Sequence, residues 1–260
     1  MNLQAEPDWW KTLFDETYLR TDARTVCNPE LTRREIDLIC ELTQARPDEA
    51  ILDLCGGHGR HTLELSSRGF SSLTLADYSY PLLCIAAQTI RASSLKIDLL
   101  QVDAQKLPYN RPSFDHVFIL GNSLGYIHNP SGDRAILGEV FRLLRPGGHV
   151  VVDVTDGAAF EQSFTPVAWH EIEDDLVVCR QRHLGSGAVQ AREMVLSKKT
   201  GLVRDRTYAI RLYDRKGLNQ VLEQAGFDQI AIHTTSTLKT LTQDVGFMNH
   251  RLLGLGRKPL

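Results

Sequence analysis

Between residues 50 and 154 the chain alternates short apolar runs with stretches of helical periodicity, and no other feature limits its fold as much. The runs at 50–54, 73–76, 97–102, 115–120 and 149–154 are too short for buried helices and read as strands. Helices are expected at 59–68, closed by Gly69, at 81–92, and at 132–144, stopped by Pro146-Gly147-Gly148. Strands that are apolar throughout are buried on both faces. Parallel neighbours need crossovers, which helices supply. The expected class is therefore α/β, a doubly wound parallel sheet with right-handed connections.

The flanks differ from this centre. Residues 8–20 place Trp9, Trp10, Leu13, Phe14, Thr17 and Tyr18 at helical spacing, and a second helix is expected over 29–45, opened by Pro29. Beyond about residue 157 the segments 167–173, 176–184, 188–197 and 202–212 are rich in Val, Thr, Ile and Tyr. Gly185-Ser186-Gly187 and Lys199-Thr200-Gly201 punctuate them as hairpin turns, which predicts an antiparallel insert. A helix over 214–225 and strands near 227–235 and 247–257 follow. The organisation reads as a helical cap (1–46), a core (47–157), the insert (158–212) and the rest of the core (213–260).

Bulk properties exclude several classes. A formal charge of −3 gives no electrostatic reason to bind nucleic acid or an anionic membrane. The five cysteines are scattered, odd in number and form no CxxC pair, so neither disulfides nor zinc are expected. No His/Asp/Glu spacing suggests another metal site. The first residues show no signal-peptide pattern, and no stretch approaches the roughly 20 apolar residues of a membrane span. A cytoplasmic location is expected, while the oligomeric state is not legible.

The chemistry concentrates at strand ends. Ile51-Leu52-Asp53-Leu54-Cys55-Gly56-Gly57-His58-Gly59-Arg60 delivers an acid into a glycine turn that opens a helix. Glycines let a ligand approach backbone closely, and a helix N-terminus offers free N–H groups. Asp77 follows the second strand, 24 residues beyond Asp53, and Asp103 follows the third, 26 further on. Acids at such positions accept hydrogen bonds from ribose hydroxyls and can reach an exocyclic adenine amine. Each alone also reads as a turn or helix cap, but the ordered series favours one ligand.

The glycine turn, Asp77, Asp103-Ala104-Gln105-Lys106-Leu107-Pro108, Phe114-Asp115 and Leu143-Leu144-Arg145-Pro146-Gly147-Gly148 together resemble class I S-adenosylmethionine (AdoMet)-dependent methyltransferases. The resemblance covers roughly residues 45–155 and implies a Rossmann-like sheet with the insert as a substrate lid. It implies that backbone from Asp53 through Cys55, Gly56, Gly57 and Gly59 holds the methionine part, with Arg60 favoured for its carboxylate. It further implies Asp77 and Tyr78 at the ribose, Asp103, Ala104 and Gln105 at the adenine, and Gly121 and Asn122 beside the reactive methyl. Cys55 stands where the family often has glycine.

The acceptor side is less determined. The loop Gly121-Asn122-Ser123-Leu124-Gly125-Tyr126-Ile127-His128 lacks the D/N-P-P-Y/F motif of base-modifying enzymes, which points to a small-molecule acceptor. In a strand over 202–212, Tyr208 and Ile210 share one face, and Ala209, Arg211 and Tyr213 the other. Tyr18, Tyr126, Arg211 and Tyr213 are candidate acceptor contacts, and His128 is the candidate general base. Three rivals stand against this reading, one of them a methyltransferase for protein or RNA, which the acidic balance disfavours. A nicotinamide-dependent oxidoreductase needs G-x-G-x-x-G, but Thr62 stands at the third glycine. A non-catalytic AdoMet-binding module would lack a reason for the lid. The accepting atom, oxygen, nitrogen or carbon, is open.

Overall fold

A computed structural model describes residues 3–185, 187–234 and 246–260. Ser186 of the expected hairpin turn and the 235 end of the expected strand lie outside these residues. The chain opens with three short helices, α1 (Trp10–Leu13), α2 (Glu16–Thr21) and α3 (Ala23–Val26), and a longer one, α4 (Pro29–Thr43). Then follow β1 (Ala50–Leu54), α5 (Arg60–Ser67), β2 (Ser72–Asp77), α6 (Tyr80–Ala92), β3 (Asp98–Gln101), β4 (Phe114–Ile119), α7 (Pro130–Leu143) and β5 (Leu144–Thr155). A short helix α8 (Gly157–Gln162) leads to four strands, β6 (Val167–Ile172), β7 (Leu176–Gly185), β8 (Ala188–Ser197) and β9 (Gly201–Arg211). The chain closes with α9 (Arg215–Gln224), β10 (Asp228–Thr234) and β11 (Arg251–Arg257).

The first sheet runs β10-β11-β5-β4-β1-β2-β3. Its β2, β1, β4 and β5 neighbours are parallel, β3 included, while β11 lies antiparallel to both β5 and β10. Alternation along β1 explains the two helical layers. Leu52 and Leu54 pack with Leu137 and Val140 of α7 and Leu218 and Leu222 of α9. Ile51 points the other way, to Ile36 and Ile39 of α4 and Leu65 of α5. Each such side chain contributes about 1.5–3 kcal/mol on burial. β6 to β9 form a separate antiparallel sheet in simple up-and-down order.

Two expectations need correction, and one helix has no counterpart among them. The stretch 8–20 is not one helix: Asp15 accepts the Tyr18 N–H at 3.1 Å and caps a new helix. Such a side chain competes with the helical ladder and restarts it. Pro146-Gly147-Gly148 is not a stop between helix and strand but part of β5. There the β4–β5 register shifts, Gly147 is left-handed at φ 79°, and a Cβ on Gly148 would lie 2.6 Å from the Asp115 carbonyl oxygen. The helix α8, capped by Asp156, gave no sign in the sequence.

Candidate active site

The glycine turn leaves β1 through residues that only small side chains tolerate. Cys55, Gly57 and Gly59 are left-handed, at φ 62°, 59° and 83°. A Cβ on Gly56 would meet Leu75 Cδ1 at 2.4 Å and Asp53 Cγ at 2.7 Å. Asp77 clamps the turn from the end of β2. Its Oδ2 accepts the Gly57 N–H and its Oδ1 the Ser79 N–H, each at 2.7 Å. Burial pushes the Asp77 carboxyl up to about 6. Asp103, after β3, accepts the Gln105 N–H at 2.9 Å.

These residues form one wall of a cavity shared with the cap and the insert. Cys55, Gly56, Gly57, Asp77, Asp103 and Ala104 line it on the turn side, together with Arg60 and Tyr78. Gly121 and Asn122 line it from the loop after β4. Asn122 also holds that loop to β5, its Oδ1 accepting the Thr155 N–H at 2.8 Å. Arg60 donates through Nη1 to Thr32 Oγ1 at 2.9 Å and to Glu35, while Nη2 is buried with no hydrogen-bond partner among the described residues. His58, also in the lining, is pushed down to about 4, by burial first and then by the nearby Arg60, so it is a neutral imidazole at pH 7.

The opposite wall is aromatic. Trp9 lies edge-on to Tyr126 at 5.1 Å and 5.7 Å from Tyr208, and Phe14 stacks on Tyr126 at 5.5 Å. Tyr18 reaches the cavity from α2, and Ile210 from β9. Burial pushes the Tyr18 and Tyr126 hydroxyls well above their ordinary range, so both are protonated at neutral pH.

Several sequence-chosen residues stand elsewhere. Asp53 does not line the cavity; it is buried beneath the turn, with Oδ2 accepting the Thr62 hydroxyl at 2.6 Å and Oδ1 without a partner among the described residues. Gly59 is also outside the lining, because its left-handed backbone turns inward against Leu75 and Ala86. The Gln105 side chain folds back on Asp103 at 3.2 Å. His128 is exposed and does not line the cavity.

Arg211 and Tyr213 are also off the cavity. Both bind Asp133, which is fully buried in α7, with the Tyr213 hydroxyl at 2.6 Å. Arg211 Nη2 also donates to the Ile127 and His128 carbonyls, so this knot fixes the loop that carries Tyr126. The strand alternates as expected, and the side that faces the cavity is that of Tyr208 and Ile210. Missed altogether were Arg180, Glu193 and Arg204, which line the cavity from β7, β8 and β9. Nothing in their local sequence distinguishes them from a solvated strand face.

Residues 51–148 match the pattern of the methyltransferase domain family. The chain carries a class I methyltransferase domain. That domain is of the S-adenosylmethionine-dependent kind. Among curated relatives, the demethylmenaquinone methyltransferase of Thermus thermophilus is 36% identical over 121 residues, 46% of this chain and 51% of the relative. A putative methyltransferase of Bacillus subtilis is 28% identical over 181 residues, covering 68% and 72%. The matched stretch thus spans about half of the demethylmenaquinone enzyme. Solved structures extend the likeness of fold. The CcbJ methyltransferase of Streptomyces caelestis superposes with a TM-score of 0.74 at 20% identity, covering 100% of both chains. The sugar N-methyltransferase KedS8 of Streptoalloteichus gives 0.68 at 19% identity, covering 99% of this chain and 95% of KedS8.

Proposed function

We propose that this protein transfers the methyl group of AdoMet to a small molecule held in the aromatic half of the cavity. The observation that carries this reading is a single cavity with two unlike walls, a glycine turn flanked by Asp77 and Asp103 and a ring-lined face from cap and insert. The residues present fit AdoMet. Arg60 Nη2, buried and unpartnered, is matched by a carboxylate at the turn. The Asp77 oxygens each spend one acceptor site on backbone and keep another for ribose hydroxyls. Asp103 and Ala104 suit the adenine end, and Tyr78 lies beside them.

AdoMet supplies a methyl group on a leaving group that its positive charge has already activated. What the chain must add is alignment and exclusion of water. Asp77 and Asn122 hold the turn and the loop after β4 in place, and the rings of Trp9, Phe14 and Tyr126 dry the reacting end and offer π faces to a cation. We read residues 1–46 as a cap and 158–212 as a lid.

A small-molecule acceptor is supported by the aromatic lining of the cavity and by the names of similar proteins, which act on demethylmenaquinone, an amino pentose or 1,6-didemethyltoxoflavin. Nucleic acid and membrane are not part of this reading. Among the described residues no helix is long and apolar enough to cross a membrane, and all five cysteines are free, which supports a cytoplasmic setting. The test is calorimetric titration with S-adenosylhomocysteine, followed by a mass-shift screen of a metabolite extract with AdoMet. Failure to bind S-adenosylhomocysteine at millimolar concentration would overturn the proposal.

A further inference from the structure

The insert sheet contributes to the cavity floor a cluster of charged side chains that hold one another but not completely. Glu193 is 4% exposed and lines the cavity. Its Oε2 accepts Arg180 Nε at 2.8 Å. Its Oε1 makes no hydrogen bond to a described residue and has Arg204 Nη1 3.8 Å away, beyond hydrogen-bond reach. Arg180 sends Nη2 to Asp22 at 2.8 Å, and its Nη1 makes no hydrogen bond to a described residue. Arg204 binds Asp15 and the Leu13 carbonyl. Arg182, on the same inward row of β7, lies 5.4 Å from the Phe247 ring with Nε buried and unpartnered.

Three acids, Asp15, Asp22 and Glu193, stand against three arginines, Arg180, Arg182 and Arg204. The cluster is formally neutral, so a buried ion brought to it would find no uncompensated counter-charge and would lose its hydration. A neutral group that both donates and accepts would find an acceptor in Glu193 Oε1 and a donor in Arg180 Nη1. The same cavity carries ring and aliphatic surface from Trp9, Leu13, Phe14, Tyr208 and Ile210.

Building on the transfer reading above, we propose that the acceptor is an uncharged molecule with a flat apolar body and a hydroxyl or amide N–H group, and that Glu193, backed by Arg180, selects it by accepting that hydrogen bond. Glu193 is a specificity residue in this scheme and takes no proton.

The test uses four matched probes, 2-naphthol, 2-methoxynaphthalene, 2-naphthoate and 2-naphthylmethylamine, titrated by saturation-transfer NMR at neutral pH with and without S-adenosylhomocysteine. The naphthol should bind at least about tenfold tighter than the other three, the scale of a hydrogen bond to a charged acceptor. In Glu193→Gln that lead over the methyl ether should shrink to about threefold or less, while S-adenosylhomocysteine affinity is kept. Tightest binding of the anion or the cation overturns the proposal. So do four probes that cannot be told apart, or a Glu193→Gln protein that keeps the full preference. The wild-type ranking needs no variant, so a misfolded Glu193→Gln protein does not spare the proposal. S-adenosylhomocysteine is also titrated without any probe; its failure to bind refutes methyl transfer, while the naphthalene series judges Glu193 by itself.

Discussion

The turn wall of the cavity is backbone held by short-range contacts, whereas the cap-and-insert wall is side chains held across long stretches of chain. On the turn side Asp77 reaches Gly57, 20 residues away, and left-handed backbone does the shaping. On the other side Arg180 reaches Asp22 over 158 residues and Arg204 reaches Asp15 over 189. The contrast teaches that the half proposed to hold AdoMet is built from conformational constraint. The half proposed to face the acceptor is built from replaceable side chains on rigid strands.

Five changes test this contrast. The largest effect is expected on stability at the knot behind the acceptor wall. Asp133→Ala strands Arg211, the Tyr213 hydroxyl and the Gly125 N–H. It should cost about 3–5 kcal/mol in denaturant unfolding. Gly56→Ala drives a Cβ into Leu75 and Asp53. It should weaken S-adenosylhomocysteine by about a hundredfold in calorimetry, equivalent to roughly 2.7 kcal/mol. Trp9→Ala removes a largely buried ring from the acceptor wall. Stability should fall by about 2–3 kcal/mol, below a fully packed Trp because one side already faces a cavity. S-adenosylhomocysteine affinity should stay within about threefold of wild type, and a larger loss would erase the distinction between the walls.

The fourth change concerns pH. In the proposed binding mode ribose hydroxyls would donate to the ionised form of Asp77, whose carboxyl is pushed up to about 6 by burial. Affinity for S-adenosylhomocysteine should therefore be full above that pH and fall below it, by up to about tenfold per unit as the carboxyl takes its proton. Asp77→Asn should lose about tenfold at neutral pH and flatten the profile. A wild-type affinity independent of pH between about 4.5 and 7.5 would contradict the assignment. The smallest effect is expected at Cys55, already left-handed at φ 62°. Cys55→Gly relieves that backbone while freeing the unfolded chain, so unfolding stability should move by about 1 kcal/mol or less, with binding retained.

What the sequence determined alone was whatever depends on near neighbours: the alternation of strand and helix, the glycine turn, and the spacing of Asp77 and Asp103. Periodicity and turn chemistry act over a few residues, and a strand followed by a helix returns the chain to the same sheet edge at a fixed interval, so those acids meet without further information. Its errors there were local competitions, Asp15 restarting a helix and a glycine pair making a bulge rather than a stop. Only the tertiary structure decided which face of β9 meets the cavity, that Arg211 serves Asp133 and not a ligand, that His128 looks outward, and that Arg180, Glu193 and Arg204 converge. A strand's two faces are equivalent until another layer covers one of them, and which layer does so is set by packing between segments that the chain order leaves far apart.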